Sequence, residues 1–174
     1  IKVERKKLHL PTIALRGLVV FPNNLVHFEV GREKSIAAVE WAMANNSNVF
    51  LVAQKEMELS DPTQEDLFAY GVVAEVKQVL RVSGDLVKVL VEGKYRAKLS
   101  ALDASGDFLL SAVRPAPVRA GKADDAVETE ALLRALKAGF DEYLGMNPRL
   151  GKDVVFAIVS SDDPAFLSEY MPAN

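Results

Sequence analysis

The 174-residue sequence contains no cysteine and only two histidines. The missing cysteine removes a disulfide framework, a thiolate metal site and a cysteine nucleophile together. It also fits a reducing compartment. His9 and His27 each stand alone in their segments, with no second ligand at metal-binding spacing. We read His9 as a surface residue and His27 as a strand position. Basic excess is lacking too: the net charge is −3, whereas a nucleic-acid surface needs a basic stripe to neutralise phosphates. No apolar run approaches the roughly 20 residues that span a bilayer, and Val154 to Val159 is the longest candidate. The charged start, Ile1 to Lys7, is followed by no apolar stretch of signal-peptide length. There is no initiator Met, so we expect a processed or excised piece of a longer chain.

What is present is apolar patterning: 49% of residues are hydrophobic, enough for a real core. The first two-thirds reads as β. Thr12 to Phe21 is expected as a strand broken by Pro22-Asn23-Asn24, and Leu25 to Val30 as a second strand ended by Gly31. Arg32 to Ala44 has helical spacing, with Ile36, Val39 and Met43 on one face, and Trp41 reads as a packing residue. Val49 to Ala53 has the composition of a buried strand. Between Gly71 and Leu99, alternation predicts a three-stranded antiparallel meander with turns at Ser83-Gly84-Asp85 and at Gly93. Asp107 to Val113 supplies one more strand, ended by Pro115 and Pro117. Short strands with one helix suggest a small, partly closed barrel.

After Pro117 the pattern changes. Residues 118–123 read as a linker. Ala126 to Leu144 is an amphipathic helix stopped by Gly145 and Pro148, and Asp153 to Val159 is a second, short helix. Asp163 is placed to cap a third, with Pro164 at its first position and an end near Met171. Little remains to bury Phe166 and Tyr170.

Catalytic patterns are scarce. No stretch matches a Walker or dinucleotide-binding glycine motif. Ser160-Ser161-Asp162-Asp163 lacks the positioned base a serine nucleophile requires, and helix capping explains it. Asp61, Glu65 and Asp66 read as a solvated turn and helix start rather than a working carboxylate pair. Two apolar groups point instead to polypeptide binding: Leu80, Val82 and Leu86 at the hairpin tip, and Phe21, Pro22 and Leu25 around a loop. The competing reading folds both groups back onto the barrel as core.

Five stretches together resemble the N-terminal region of Lon, the ATP-dependent protease. They are Pro11 to Pro22, Val30 to Ala44, Val49 to Glu56, Asp61 to Gly71 and Val87 to Ala97. The Arg16-Gly17 step, the Gly31-Arg32-Glu33-Lys34-Ser35 helix start and the Val91-Glu92-Gly93 segment carry most of it, and Asp162-Asp163-Pro164 also fits. The resemblance implies an α+β fold: a PUA-like antiparallel β-barrel with one long helix over 1–117, the linker, then a small helical bundle over 124–174, truncated at its C-terminus. It implies a cytoplasmic parent, an ATP-dependent serine endopeptidase of quality control and stress response. That parent has an AAA+ motor and a Ser-Lys dyad and assembles as a homo-hexamer.

Neither the motor's motifs nor the dyad lies in this chain, so no catalytic, cofactor or metal residue carries over. ATP and Mg belong to the missing motor. The expected partners are unfolded or damaged polypeptides and the rest of the Lon chain, with no nucleic acid and no membrane. The piece itself is expected to be a monomer or weak dimer. Two alternatives stay open: a scaffold that mainly supports hexamer assembly, and a stand-alone PUA-like binding domain.

Overall fold

The computed structural model describes residues 7–83, 86–117 and 126–174. The expected turn at Gly84-Asp85, the linker at 118–123 and the first residues of the helical part lie outside them. The chain divides into two compact units, Ile1–Pro117 and Val118–Asn174.

The first unit runs β1 (Leu8–Leu15), β2 (Leu25–Val30), α1 (Glu33–Ala44), β3 (Val49–Ala53), β4 (Tyr70–Ser83), β5 (Leu86–Asp103) and β6 (Leu109–Pro115). The strands form one sheet in the order β2-β5-β4-β3-β1-β6, and a further β5–β6 pairing closes it into a barrel. The length of β5 makes this closure possible. Its first half pairs with β2 and its second half with β6, while β4 runs along most of it. β3 and residues 10–15 of β1 are buried on both faces, which suits their largely apolar composition. Ile13, Val49 and Leu51 pack with α1 in one cluster, whereas Leu10, Phe50, Val73, Ala97 and Val113 form a second.

The fold is α+β, as expected, but several details differ from the sequence reading. The barrel is not wholly antiparallel: β1 and β3 pair in parallel, because β2 and α1 carry the chain across between them. The first strand lies at Leu8–Leu15 rather than Thr12 to Phe21. Gly17 takes φ +63° and Asn23 φ +59°, left-handed backbone that ends an extended run. The meander has two strands, not three. Gly93 sits inside β5, where the close passage of the 21–24 loop requires a residue without a Cβ: that atom would run into the Phe21 carbonyl oxygen. The Asn23 amide donates to the Gly93 carbonyl and the Gly93 amide donates to the Asn24 carbonyl, both at 2.9 Å.

The core face of α1 is built from Ser35, Ala38, Val39 and Ala42, and Met43 is exposed. Small residues let the helix approach the sheet closely. Trp41 packs its ring against Phe108 at 5.6 Å. The last strand is shifted by two residues from the expected Asp107 to Val113, to Leu109–Pro115.

The second unit holds α2 (Ala126–Met146), α3 (Lys152–Ser160) and α4 (Pro164–Tyr170). Asp163 caps α4 by accepting from the Ala165 amide at 2.9 Å, as its position before Pro164 predicts. Lys137 reaches Asp162 at 2.6 Å and ties α2 to the α3–α4 turn. Phe140, Ile158 and Leu167 form the buried centre. Phe166 and Tyr170 are not left bare: their rings stack at 4.8 Å and pack against that centre. Among the described residues, no helix is long and apolar enough to cross a membrane.

Candidate functional site

The outer surface of β2, β4 and β5 gathers most of the apolar residues singled out from the sequence. Even-numbered residues Val72, Ala74 and Val76 of β4 face the core. Simple alternation would send Leu80 and Val82 inward with them. A bulge intervenes: Val76 pairs with Val91 but Gln78 pairs with Leu90, so Lys77 is an extra residue in β4. One added residue exchanges the two faces of the stretch that follows, up to the next register shift between Arg81 and Ser83. Val79 therefore packs on the core, while Leu80 is 51% and Val82 55% exposed.

Across the ladder Leu80 lies opposite Lys88, Gln78 opposite Leu90, and Leu90 opposite His27 of β2. These five side chains line a shallow depression of about 220 Å³. Leu25, at the start of β2, is 59% exposed and pairs with Glu92 further along the same face. Leu86 is half-buried at the head of β5, with its Cδ1 against Gly31. Pro22 is buried and Phe21 half-buried. Their loop folds onto β5 at Gly93, so Pro22 is ordinary core, and of this second group Leu25 alone stands well out. The two groups flank one three-strand surface from opposite ends, Lys88 and Gly93 being separated by about 17 Å of strand.

The end near Leu25 is charged. Lys77 bridges Glu75 at 2.9 Å and Glu92 at 2.8 Å, and Lys94 bridges the same two carboxylates at 2.7 Å each. Hydrogen bonds from Lys77 and then Lys94 hold the Glu92 carboxyl down at about 2, and the same ring lowers Glu75 and raises both lysines. Cross-strand alternation of sign sets this ring, which leaves no net charge there.

A second polar cluster lies at the start of α1. Arg32 donates to the Gln54 side-chain oxygen at 2.7 Å, to the Ser60 carbonyl at 3.2 Å and to the Ala14 carbonyl. Gln54, itself buried, donates to the Glu56 and Leu59 carbonyls. Burial, then the neighbouring Arg16, lowers the Arg32 pKa, against a smaller opposing pull from Asp61. These bonds satisfy the backbone of the 54–60 loop, a structural task. Of the nearby carboxylates, Asp66 accepts from the Thr63 amide and hydroxyl in a capping box. His9 and His27 are both exposed strand residues. Among the described residues, no three of His, Cys, Asp and Glu come together as metal ligands. The bulge at Lys77 is what sequence reasoning missed. It turns Leu80 outward, opposite Lys88 and in one depression with Leu90 and His27, while Val82 lies at a further register shift between Arg81 and Ser83.

A family model described as the ATP-dependent protease La (LON) substrate-binding domain matches residues 9–174. The Lon protease of Desulforamulus reducens is 35% identical over 165 residues, covering 95% of this chain and 20% of that relative. That of Escherichia coli K12 is 36% identical over 169 residues, covering 97% and 21%. The chain thus spans about a fifth of the length of these curated relatives. Among solved structures, the N-terminal domain of Mycobacterium avium complex Lon protease superposes with a TM-score of 0.67 at 20% identity, covering 93% of this chain and 80% of that one. A Lon N-terminal domain protein from Xanthomonas campestris gives 0.51 at 15% identity, covering 95% and 98%. At such identities these two speak for the fold, and the family match carries the assignment: the chain belongs to the Lon substrate-binding domain family.

Proposed function

We propose that the chain is the non-catalytic N-terminal part of a Lon-type ATP-dependent serine protease, and that it recognises and holds unfolded or damaged polypeptides for motor and protease domains elsewhere. The observation that carries this reading is the outward turn of Leu80 and Val82 beside the depression at Leu90 and His27. An unfolded chain presents short apolar segments, and a few exposed aliphatic side chains on rigid strands can cover them without a deep pocket. Such a grip is weak. Weakness suits the task, because a motor must pull the substrate off again. ATP and Mg enter through that motor, and the hexameric assembly and cytoplasmic setting of the parent belong to the same proposal.

The test is a titration of a permanently unfolded, carboxymethylated protein against the chain and its Leu80→Ser/Val82→Ser variant. Full burial of one aliphatic side chain is worth about 1.5–3 kcal/mol. Partial burial of two therefore predicts a loss of about tenfold or more. Equal binding by both proteins removes this face from the account and favours a scaffold role.

A further inference from the structure

β2 lies outside the ring of strands that closes the barrel. The ring runs β5-β4-β3-β1-β6 and back to β5, and β2 pairs with β5 alone. Among the described residues, nothing else hydrogen-bonds to the backbone of Leu25–Val30. The register tells which groups are left over. The Gly93 amide donates to the Asn24 carbonyl at 2.9 Å, so Gly93 turns its backbone groups toward β2. Backbone groups alternate sides along a strand, so Val91, Val89 and Val87 do the same and meet Val26, Phe28 and Val30. The N–H and C=O groups of Leu25, His27 and Glu29 therefore point away from β5, along an open edge. β2 carries neither the lysine nor the proline that commonly blunts such an edge.

This edge ends at a cavity. A space of about 260 Å³ is lined by Phe28 to Gly31 and by Ile13, Leu15 and Leu18. The two arginines in its wall are already engaged: Arg16 donates to the Leu59 carbonyl at 2.9 Å, and Arg32 donates to Gln54, Ser60 and Ala14. An apolar side chain is the guest that such walls accept. A strand laid against β2 supplies one, because the residue opposite Phe28 shares its inward face.

We propose that β2 takes an extended polypeptide as an added antiparallel strand. Backbone hydrogen bonds to Leu25, His27 and Glu29 hold it, and an apolar side chain beside Phe28 anchors it. Pairing of this kind reads backbone rather than sequence, which suits an unfolded partner of variable composition. The proposal rests on the reading that the chain holds unfolded polypeptide, and adds the means of holding.

A fluorescent nine-residue peptide of alternating threonine and leucine is titrated against the 174-residue chain in three forms: unmodified, N-methylated at every threonine, and N-methylated at every leucine. With the leucines facing inward, antiparallel pairing draws its donors from the threonines. Methylation at threonine is expected to cost at least tenfold in affinity, and methylation at leucine under threefold. A grip made by side chains alone would feel the two alike. His27→Pro removes an outward N–H without touching the β5 ladder, and is expected to weaken the unmodified peptide at least tenfold. His27→Ala, which keeps that N–H, is expected to cost threefold or less. Should His27→Pro lose β-structure by circular dichroism, the two methylated peptides still decide. Equal or reversed effects of the two methylations overturn the proposal, as does a folded His27→Pro that binds like the wild type. Self-association lost in His27→Pro and not displaced by the unmodified peptide would give the edge to a second copy and overturn it too. Carboxymethylated protein separates the two levels. Binding weakened by Leu80→Ser/Val82→Ser but not by His27→Pro overturns the added strand and leaves the underlying reading intact, whereas no binding by the wild type overturns both.

Discussion

The two units bury their apolar residues in different ways. In the barrel, β3 and residues 10–15 of β1 are covered on both faces, with one cluster under α1 and another among Leu10, Phe50, Val73 and Val113. In the helical unit, α2 runs for 21 residues and sinks Phe140 alone, which meets Ile158 and Leu167 in a small centre. Leu132, Met146 and Phe156 stay largely in water. Charge divides the same way, near neutral over 1–117 and net −4 over 118–174. A barrel with two full clusters is a self-sufficient platform on which a few exposed aliphatic residues keep fixed positions. A helical unit whose described residues include three fully buried side chains has little stability to spare and is the part expected to open first.

The sharpest way to break that contrast is Phe140→Ala. Removing a buried phenylalanine costs about 3–5 kcal/mol. Amide exchange should show α2, α3 and α4 losing protection while the barrel strands keep theirs. Simultaneous loss in the barrel would mean that the units do not stand separately. The next effect is in the barrel. Gly93→Val forces a side chain against the 21–24 loop and should cost about 1–3 kcal/mol or somewhat more. It should lower the barrel's thermal midpoint while leaving helical exchange rates alone. An unchanged midpoint would show that the loop does not need its close approach to β5.

The smallest effect concerns the Lys77–Glu92–Lys94–Glu75 ring. Glu92 titrates at about 2 rather than the ordinary 4.5 because Lys77 and Lys94 donate to it, so folding favours its charged form. Its contribution is complete above pH 4.5 and disappears as pH falls toward 2. Exposure and salt screening keep it small. The urea midpoint of the wild type should drop slightly more between pH 6 and pH 2.5 than that of Glu92→Gln, and parallel curves would contradict the ring's role.

These features were unequally legible in the sequence. β2, β3 and the Asp163 cap were readable because each depends on neighbours in the chain: Val26, Phe28 and Val30 alternating with exposed residues and closed by Gly31, five consecutive apolar residues, an acid before Pro164. Gly93 was misread because a glycine between alternating residues serves a turn or a close backbone approach equally well, and only the tertiary passage of Phe21 decides which. The helix face was misread because α1 packs through Ala38 and Ala42, residues too small to dominate a periodic pattern. The site was half legible. Leu80, Val82 and Leu25, marked by composition and place, are exposed, whereas Pro22 is buried. The exposure of Leu80 depends on a bulge at Lys77, and Val82 lies at a second register shift between Arg81 and Ser83; no local signal announces either, because bulges answer to the partner strand.

The central claim, that unfolded polypeptide is held on the outer face of β2, β4 and β5, is tested most directly by amide exchange with and without a saturating unfolded protein. The account predicts slower exchange at residues 78–82 and 86–90 and around Leu25, with the inner strands β1 and β3 unchanged. Binding without any change at those residues would contradict it.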